Sequence, residues 1–132
     1  MDASPLRRAL SALANRQSLS DNQTAEVFGI VMSGEATPAQ IGGLLMGLRA
    51  KGETADELAG AARALREAGA AEVHAVFVHA VMAPGALSKI RSAGVQRVAA
   101  SDSVVAAQPG ELEIIDIAPL LARAVAGLVR PV

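Results

Sequence analysis

The sequence predicts a mixed α/β fold: an N-terminal four-helix region, then a small three-stranded, mainly parallel sheet with two helices. Three observations carry this prediction. Over residues 4–69, apolar side chains recur at helical spacing behind hydroxyl caps. After Gly69 the period shortens to Val-rich runs bounded by Gly, Pro and polar residues, and helical spacing returns between and after those runs.

Each helical start has a chemical signature. Ser20 with Gln23, Thr37 with Gln40 and Thr54 with Glu57 form three capping boxes, in which a hydroxyl and a carboxamide or carboxylate satisfy backbone N–H groups reciprocally. Pro38 follows its cap at the first helical position, where its missing N–H costs nothing, and Ser4-Pro5 repeats that arrangement. Leu6, Leu10 and Leu13 stripe the first helix, Phe28, Val31 and Met32 the second, Ile41, Leu44, Leu45 and Leu48 the third, and Leu58, Ala62 and Leu65 the fourth. Gly34 and Gly52 fall where left-handed caps are expected. Gly42, Gly43 and Gly47 lie inside the third helix at up to about 1 kcal/mol each relative to Ala. Close approach of another helix, from this chain or a second subunit, offsets that cost.

Glu72–His79 and Val95–Asp102 read as strands, with a helix over Gly85–Ser92 between them striped by Ala86, Leu87 and Ile90. A third strand, Leu112–Ile117, precedes a final helix opened by Pro119 and striped by Leu120, Leu121, Val125 and Leu128. Only residues 103–110 join the second and third strands, shorter than the usual parallel crossover, so the pairing there is either parallel or antiparallel.

Composition narrows the function classes. The chain has 132 residues, 52% apolar, of which 29 are Ala, with net charge -1, two Phe and no Cys, Trp or Tyr. That is one ordinary domain's length, able to hide about two-thirds of its unfolded surface, although an Ala-rich core is thin and favours dimerisation. Near-zero charge and two aromatic rings argue against nucleic-acid binding. Without Cys there is no thiol catalysis, Cys-based zinc site or disulfide, which fits the cytoplasm. No apolar run reaches a membrane span or a signal peptide core. Met1 and the final helical pattern fit a complete chain rather than a piece of a longer one.

Few residues are suited to chemistry. His74 and His79 flank the first strand and fall on opposite faces if it is regular, which argues against a shared metal site. His79 sits at the strand's carboxyl end, where open α/β sheets place ligands, and is either a ligand contact or a loop residue. Ser101-Asp102-Ser103 ends the second strand and either contacts a polar ligand or hydrated Mg²⁺ or forms a structural turn. Asp116 is placed to cap the final helix. Arg49, Lys51, Arg63 and Arg66 read as a solvated helix face. No G-x-x-x-x-G-K-[ST], G-x-S-x-G or H-E-x-x-H motif occurs.

Two stretches resemble known families. Val31-Met32-Ser33-Gly34-Glu35-Ala36-Thr37-Pro38-Ala39-Gln40-Ile41-Gly42-Gly43, continued by Lys51-Gly52-Glu53-Thr54 and Glu57-Leu58-Ala59-Gly60-Ala61, resembles the N-terminal helical domain of anthranilate phosphoribosyltransferase, which also occurs in pyrimidine nucleoside phosphorylases. The resemblance spans about residues 6–67 and implies a helical domain that packs across a dimer interface. In that family a Gly-rich phosphoribosyl-binding loop follows, and the sequence here has none. Val76-Phe77-Val78-His79-Ala80-Val81-Met82, Val98 to Asp102-Ser103-Val104, and Ile117-Ala118-Pro119-Leu120-Leu121-Ala122-Arg123-Ala124-Val125 are similar to the C-terminal part of ribose-phosphate pyrophosphokinase, over about residues 58–130. This implies a type I phosphoribosyltransferase-like sheet with three parallel strands. By that resemblance His79 corresponds to the His of a T-H-[GP]-[VIL]-[FL]-S segment, and Asp102 and Ser103 to a strand-end D-[TS]-I element. The pentose-phosphate loop expected before residue 58 is replaced by the helices, and the ATP-binding half is absent.

Together the resemblances imply a fusion of a helical domain, 1–69, with an α/β unit, 58–132, sharing the fourth helix. The expected function is a non-catalytic interaction or dimerisation module, with no catalytic residue, metal site or cofactor, a homo-oligomer through the N-terminal helices. The alternative is an enzyme or subunit of phosphoribosyl pyrophosphate metabolism that binds a phosphorylated sugar at His79, Ser101, Asp102 and Ser103, with Mg²⁺ only alongside that ligand.

Overall fold

A computed structural model describes residues 4–104 and 112–128. The order is α1 (Pro5–Ala14), α2 (Asp21–Met32), α3 (Pro38–Lys51), α4 (Ala55–Glu67), β1 (His74–Phe77), α5 (Ala86–Ser92), β2 (Arg97–Ser101), β3 (Glu113–Ile115) and α6 (Ala118–Leu128). The fold is mixed α/β, helices first and then a three-stranded parallel sheet. Most of the expected link 103–110, and the outer ends of the expected 1–69 and 58–132 domains, lie outside the described residues. Residues up to Val73 with Pro84–Gln96 form one compact unit, and His74–Ala83 with those from Arg97 onward form a second. No helix among the described residues is long and apolar enough to cross a membrane.

In the first unit all three capping boxes close as the residues predict. Ser4 also caps α1, its hydroxyl accepting from Arg7 N–H at 3.4 Å. Gly34 and Gly52 take φ of +79° and +90°, the left-handed region that releases a helix C-terminus without a Cβ clash. α1 packs on α3, α2 on α4, and α4 on α5. The apolar core joins Leu6, Ala9, Leu13, Leu19, Val27, Ala36, Leu44 and Leu48.

The buried faces of α1 and α3 largely follow the predicted stripes, whereas those of α2 and α4 depart from them where these two helices cross on small residues. In α2 the buried residues are Thr24 and Val27, whereas Met32 is 43% exposed. In α4 they are Glu57, Ala59, Gly60, Ala62 and Ala64, with Leu58 and Leu65 only partly covered. The reason is the α2–α4 crossing: a Cβ on Gly60 would lie 2.3 Å from the Asp21 carbonyl oxygen and 2.8 Å from Thr24 Cβ. Backbones that close leave no room for Leu or Met at the contact, so bulk turns outward. The glycines of α3 follow the same logic within the chain, since Gly47 faces Leu13 Cβ at 2.9 Å and Gly43 faces Leu10 Cδ2 at 3.3 Å. Gly42 has nothing within 4 Å, and Leu45, predicted to be inside, is 52% exposed.

In the second unit β2 is central, in the order β1-β2-β3, and both pairings are parallel. The register sets Val76 beside Ala99 and Phe77 beside Ala100, then Ala100 beside Ile114 and Ser101 beside Ile115. The parallel β2–β3 pairing settles the direction that loop length left open. β3 has only three residues, a rise of about 10 Å. The strands are shorter than predicted, and β1 stops at Phe77, so His79 lies beyond it rather than on its face. The α6 stripe forms as a helix, but Leu120, Leu121, Val125 and Leu128 are all exposed, from 55% to 84%.

Two substitutions test the helix crossings. Gly60→Ala is expected to cost about 1–3 kcal/mol, because its Cβ meets backbone rather than a flexible side chain. Gly42→Ala, with open space around it, is expected to stabilise by up to about 1 kcal/mol through helix propensity. Urea unfolding of both variants reads the opposite signs.

Candidate functional site

The residues singled out in the second unit converge at the carboxyl ends of β1 and β2. Ser101 closes β2 with only 7% of its surface exposed, and its Oγ donates to the Val78 carbonyl oxygen where the chain leaves β1. Ser103 Oγ reaches the same carbonyl at 2.7 Å and Ser101 Oγ at 2.7 Å, while Ser103 N–H donates back to Ser101 Oγ at 3.3 Å. His79 Nδ1 lies 2.7 Å from Ser103 Oγ, with the ring exposed. His79, Ser101 and Ser103 therefore form one hydrogen-bonded cluster around one carbonyl.

Asp102 serves a different junction. Its N–H extends the parallel ladder to Ile115 O at 3.1 Å, and its Oδ1 accepts from Ile117 N–H at 3.1 Å. Asp116 Oδ1 accepts from Ala118 N–H at 2.8 Å, capping α6 as its position predicts. These contacts are those of an Asx-type strand end, in which carboxylates replace lost ladder partners. Among the described residues no three His, Cys, Asp or Glu side chains gather closely enough to hold a metal.

The first unit contains a polar site that the residue pattern did not single out. Glu57 is 2% exposed. Its Oε1 accepts from Leu19 N–H at 2.9 Å, and its Oε2 accepts from Thr54 N–H at 2.8 Å, Thr54 Oγ1 at 3.1 Å and Lys51 Nζ at 2.9 Å. The Lys51 side chain is itself only 6% exposed and also donates to Gly52 O at 2.7 Å. Lys51 is thus not part of a solvated face, because its stem folds back over the α3–α4 turn to meet a buried carboxylate. Arg63 departs from that expectation too: it pairs with Asp21 and donates to Asn22 Oδ1 at 2.9 Å, tying α4 to the start of α2. Arg66 donates to the Ala70 carbonyl at 2.8 Å and to that of Ala71. The available signal was the capping box itself, whose Glu lies in the first turn of a helix buried along the same side.

Burial pushes the Glu57 carboxyl up, but the bonds from Leu19 N–H, Lys51 and Thr54 N–H outweigh it and hold the group below the ordinary carboxylate range. The site is an ion pair that joins three chain junctions: the α1–α2 loop at Leu19, the end of α3 at Lys51 and the start of α4 at Thr54.

This helical unit is where the chain meets known proteins. Residues 7–69 match the helical bundle domain of the glycosyl transferase family. The chain is 57% identical over 61 residues to anthranilate phosphoribosyltransferase of Paramagnetospirillum magneticum, covering 46% of this chain and 18% of that protein. It is 48% identical over 62 residues to the enzyme of Thioalkalivibrio sulfidiphilus, covering 47% and 18%. The match to the Marinomonas enzyme runs longer, 43% identical over 76 residues, or 58% of this chain and 22% of that protein. The aligned region thus spans less than a quarter of these relatives. The anthranilate phosphoribosyltransferase-like reading of the first half stands, and residues 7–69, matched by the helical bundle domain, contain the whole Lys51–Thr54–Glu57 network.

A group whose folded pKa is depressed adds stability above its unfolded pKa, about 4.3 for Glu, and loses it as pH falls through the folded value. Glu57→Gln leaves Lys51 buried without its counter-charge and is expected to cost about 3 kcal/mol at pH 7. The gap between variant and native chain should shrink once the pH passes below the ordinary carboxylate range. Urea titrations at neutral and acid pH measure it, and a gap that stays constant or widens on acidification would show that the fold does not hold the Glu57 carboxyl below its ordinary range.

Proposed function

We propose that the chain is a non-catalytic self-association module related to phosphoribosyltransferases, with α3 as its shared surface. The observation that carries this reading is the outer face of α3. Leu13, Leu44 and Leu48 fill the inner side, yet Leu45 and Met46 are 52% and 65% exposed on the other, beside the open flank of Gly42. Met32, at the end of α2, adds a further exposed apolar side chain. Adjacent large apolar residues on a helix whose inner face is already packed are a contact surface, and identical copies meet most simply about a two-fold axis.

The second unit is read as a partial type I phosphoribosyltransferase-like sheet, similar to the C-terminal part of ribose-phosphate pyrophosphokinase. Its support is the parallel β1-β2-β3 order and the placing of His79, Ser101, Asp102 and Ser103 at strand ends. A second reading, that these strand ends take a phosphorylated sugar with Mg²⁺ alongside it, is favoured by the clustering of His79, Ser101 and Ser103. The internal use of both hydroxyls favours the first.

Light-scattering mass across a concentration series tests self-association. The native chain is expected to dimerise, and Met46→Glu or Leu45→Glu to remain monomeric with unchanged helix content. A native chain that stays monomeric up to millimolar concentration sinks the proposal. Turnover of ribose 5-phosphate and ATP by the Mg²⁺-supplied protein would equally overturn its non-catalytic part.

A further inference from the structure

The outer face of α3 is centred on Gly42. Ala39 and Pro38 lie three and four residues before it, Leu45 and Met46 three and four after it, and Arg49 seven after it, so all six share one side of the helix, and all six are exposed. Small side chains precede Gly42 and large ones follow it.

Charge is divided in the same way. α3 has no acidic residue, and of its two cations Lys51 is paired with Glu57, whereas the exposed Arg49 side chain has no hydrogen bond or ion pair among the described residues. Glu35 lies seven residues before Gly42, exposed where the chain enters α3, while Ala36 beside it turns into the core. Ser33 Oγ donates to Glu35 Oε1 at 3.1 Å, and no cation among the described residues pairs with it. The face thus carries one unmatched charge of each sign, on opposite sides of Gly42.

We propose that α3 pairs antiparallel with α3 of a second copy about a two-fold axis at Gly42, with Arg49 of each copy bridging to Glu35 of the other. The proposal rests on the self-association reading above and assigns its register. A two-fold axis across the helix maps each residue onto the one equally far beyond the axis. Leu45 then lies over the partner's Ala39, Met46 over the partner's Pro38, and Arg49 beside the partner's Glu35. Each large side chain meets a small one, and each cation meets a carboxylate. Arg49 lies about 10 Å from the axis and the Thr37 cap about 8 Å on the other side, a difference that a long Arg side chain spans to reach Glu35. Gly42 has nothing within 4 Å of its Cβ position, whereas Gly43 and Gly47 are filled from α1, so the two backbones can meet there.

Other registers match less. An axis between Leu45 and Met46 sets those two against each other and Arg49 against the partner's Gly42, with both charges unmatched. A parallel pair sets Arg49 against the partner's Arg49. The antiparallel pair also brings the negative end of one helix dipole to the positive end of the other.

Charge reversal and mixing test the register, read as light-scattering mass of the full chain over a concentration series at low salt. Arg49→Glu alone and Glu35→Lys alone each set like charges at both ends of the pair, and each is expected to raise the dimer dissociation constant by about tenfold or more. An equimolar mixture of the two variants has opposite charges at both ends again and is expected to dimerise as the native chain does. Recovery on mixing requires both variants to be folded, and Arg49→Gln and Glu35→Gln, with a smaller expected loss, replace a reversal that lowers helix content. A native dimer that neither change weakens, or folded reversal variants that weaken it and do not recover on mixing, overturns the Arg49–Glu35 register and leaves self-association through α3 standing. A native chain that stays monomeric removes both.

Discussion

The helical unit depends on one buried carboxylate. Glu57 closes the capping box of α4, as many glutamates at the third helical position do, but its second oxygen is directed away from its own helix to the backbone of Leu19. A local cap thereby becomes a tertiary clamp. Leu19 is itself core, 3% exposed, so the bond fixes where the α1–α2 loop enters the apolar cluster. Lys51 supplies the opposite charge from the far side of the α3–α4 turn. Burying a carboxylate and an ammonium is costly, and the cost is offset only when nearly every donor and acceptor is matched. Here two backbone N–H groups, a hydroxyl and an ammonium meet the two carboxylate oxygens, which is why removing the charge should cost more than removing a surface pair.

Given that clamp, the packing around it is close and made of small residues. Gly60 lets α4 approach the backbone of α2, and Gly43 and Gly47 receive Leu10 and Leu13 of α1. Close backbones gain dispersion contacts at high density, yet each small residue at a crossing displaces a large one to the outside. Leu45 and Met46 are outward for that reason, and the exposed face of α3 is a by-product of how tightly its inner face is packed. An Ala-rich composition and an exposed apolar face on α3 are thus two aspects of one packing solution.

What could be read from the residues was what depends on neighbours in the chain. The three capping boxes, the left-handed Gly34 and Gly52 and the helix-to-strand change after Gly69 are local, and they appear as expected. What depends on a partner element was not readable. Of the α2 stripe, Phe28 and Val31 do pack partly buried against the apolar core, but Met32 is exposed, and the fully buried Thr24 lies where Gly60 of another helix approaches. Lys51 has the pattern of a solvated residue until the carboxylate six positions later folds onto it. At the strand ends, the positions of His79 and Ser101–Ser103 followed from strand order, and so did the Asp116 cap. The division of labour there, with Asp102 holding the β3–α6 link and Ser103 holding the ring of His79, required atomic contacts.

The second unit meets a different constraint. A wholly parallel sheet is normally covered on both faces, because its strands are buried from either side. In the single chain β2 meets that description, with Val98, Ala99, Ala100 and Ser101 all buried, whereas Val76, Ile114 and Ile115 on the edge strands and the whole stripe of α6 remain exposed. Three short strands bury too little apolar area to offset the ordering of their own backbone. The His79–Ser103 contact depends on this margin, since Val78 O is held in place by the β1–β2 ladder from His74 to Phe77. Burial of the exposed aliphatic residues would also stiffen that ladder, so the geometry at the strand ends and the solvation of the sheet are energetically linked.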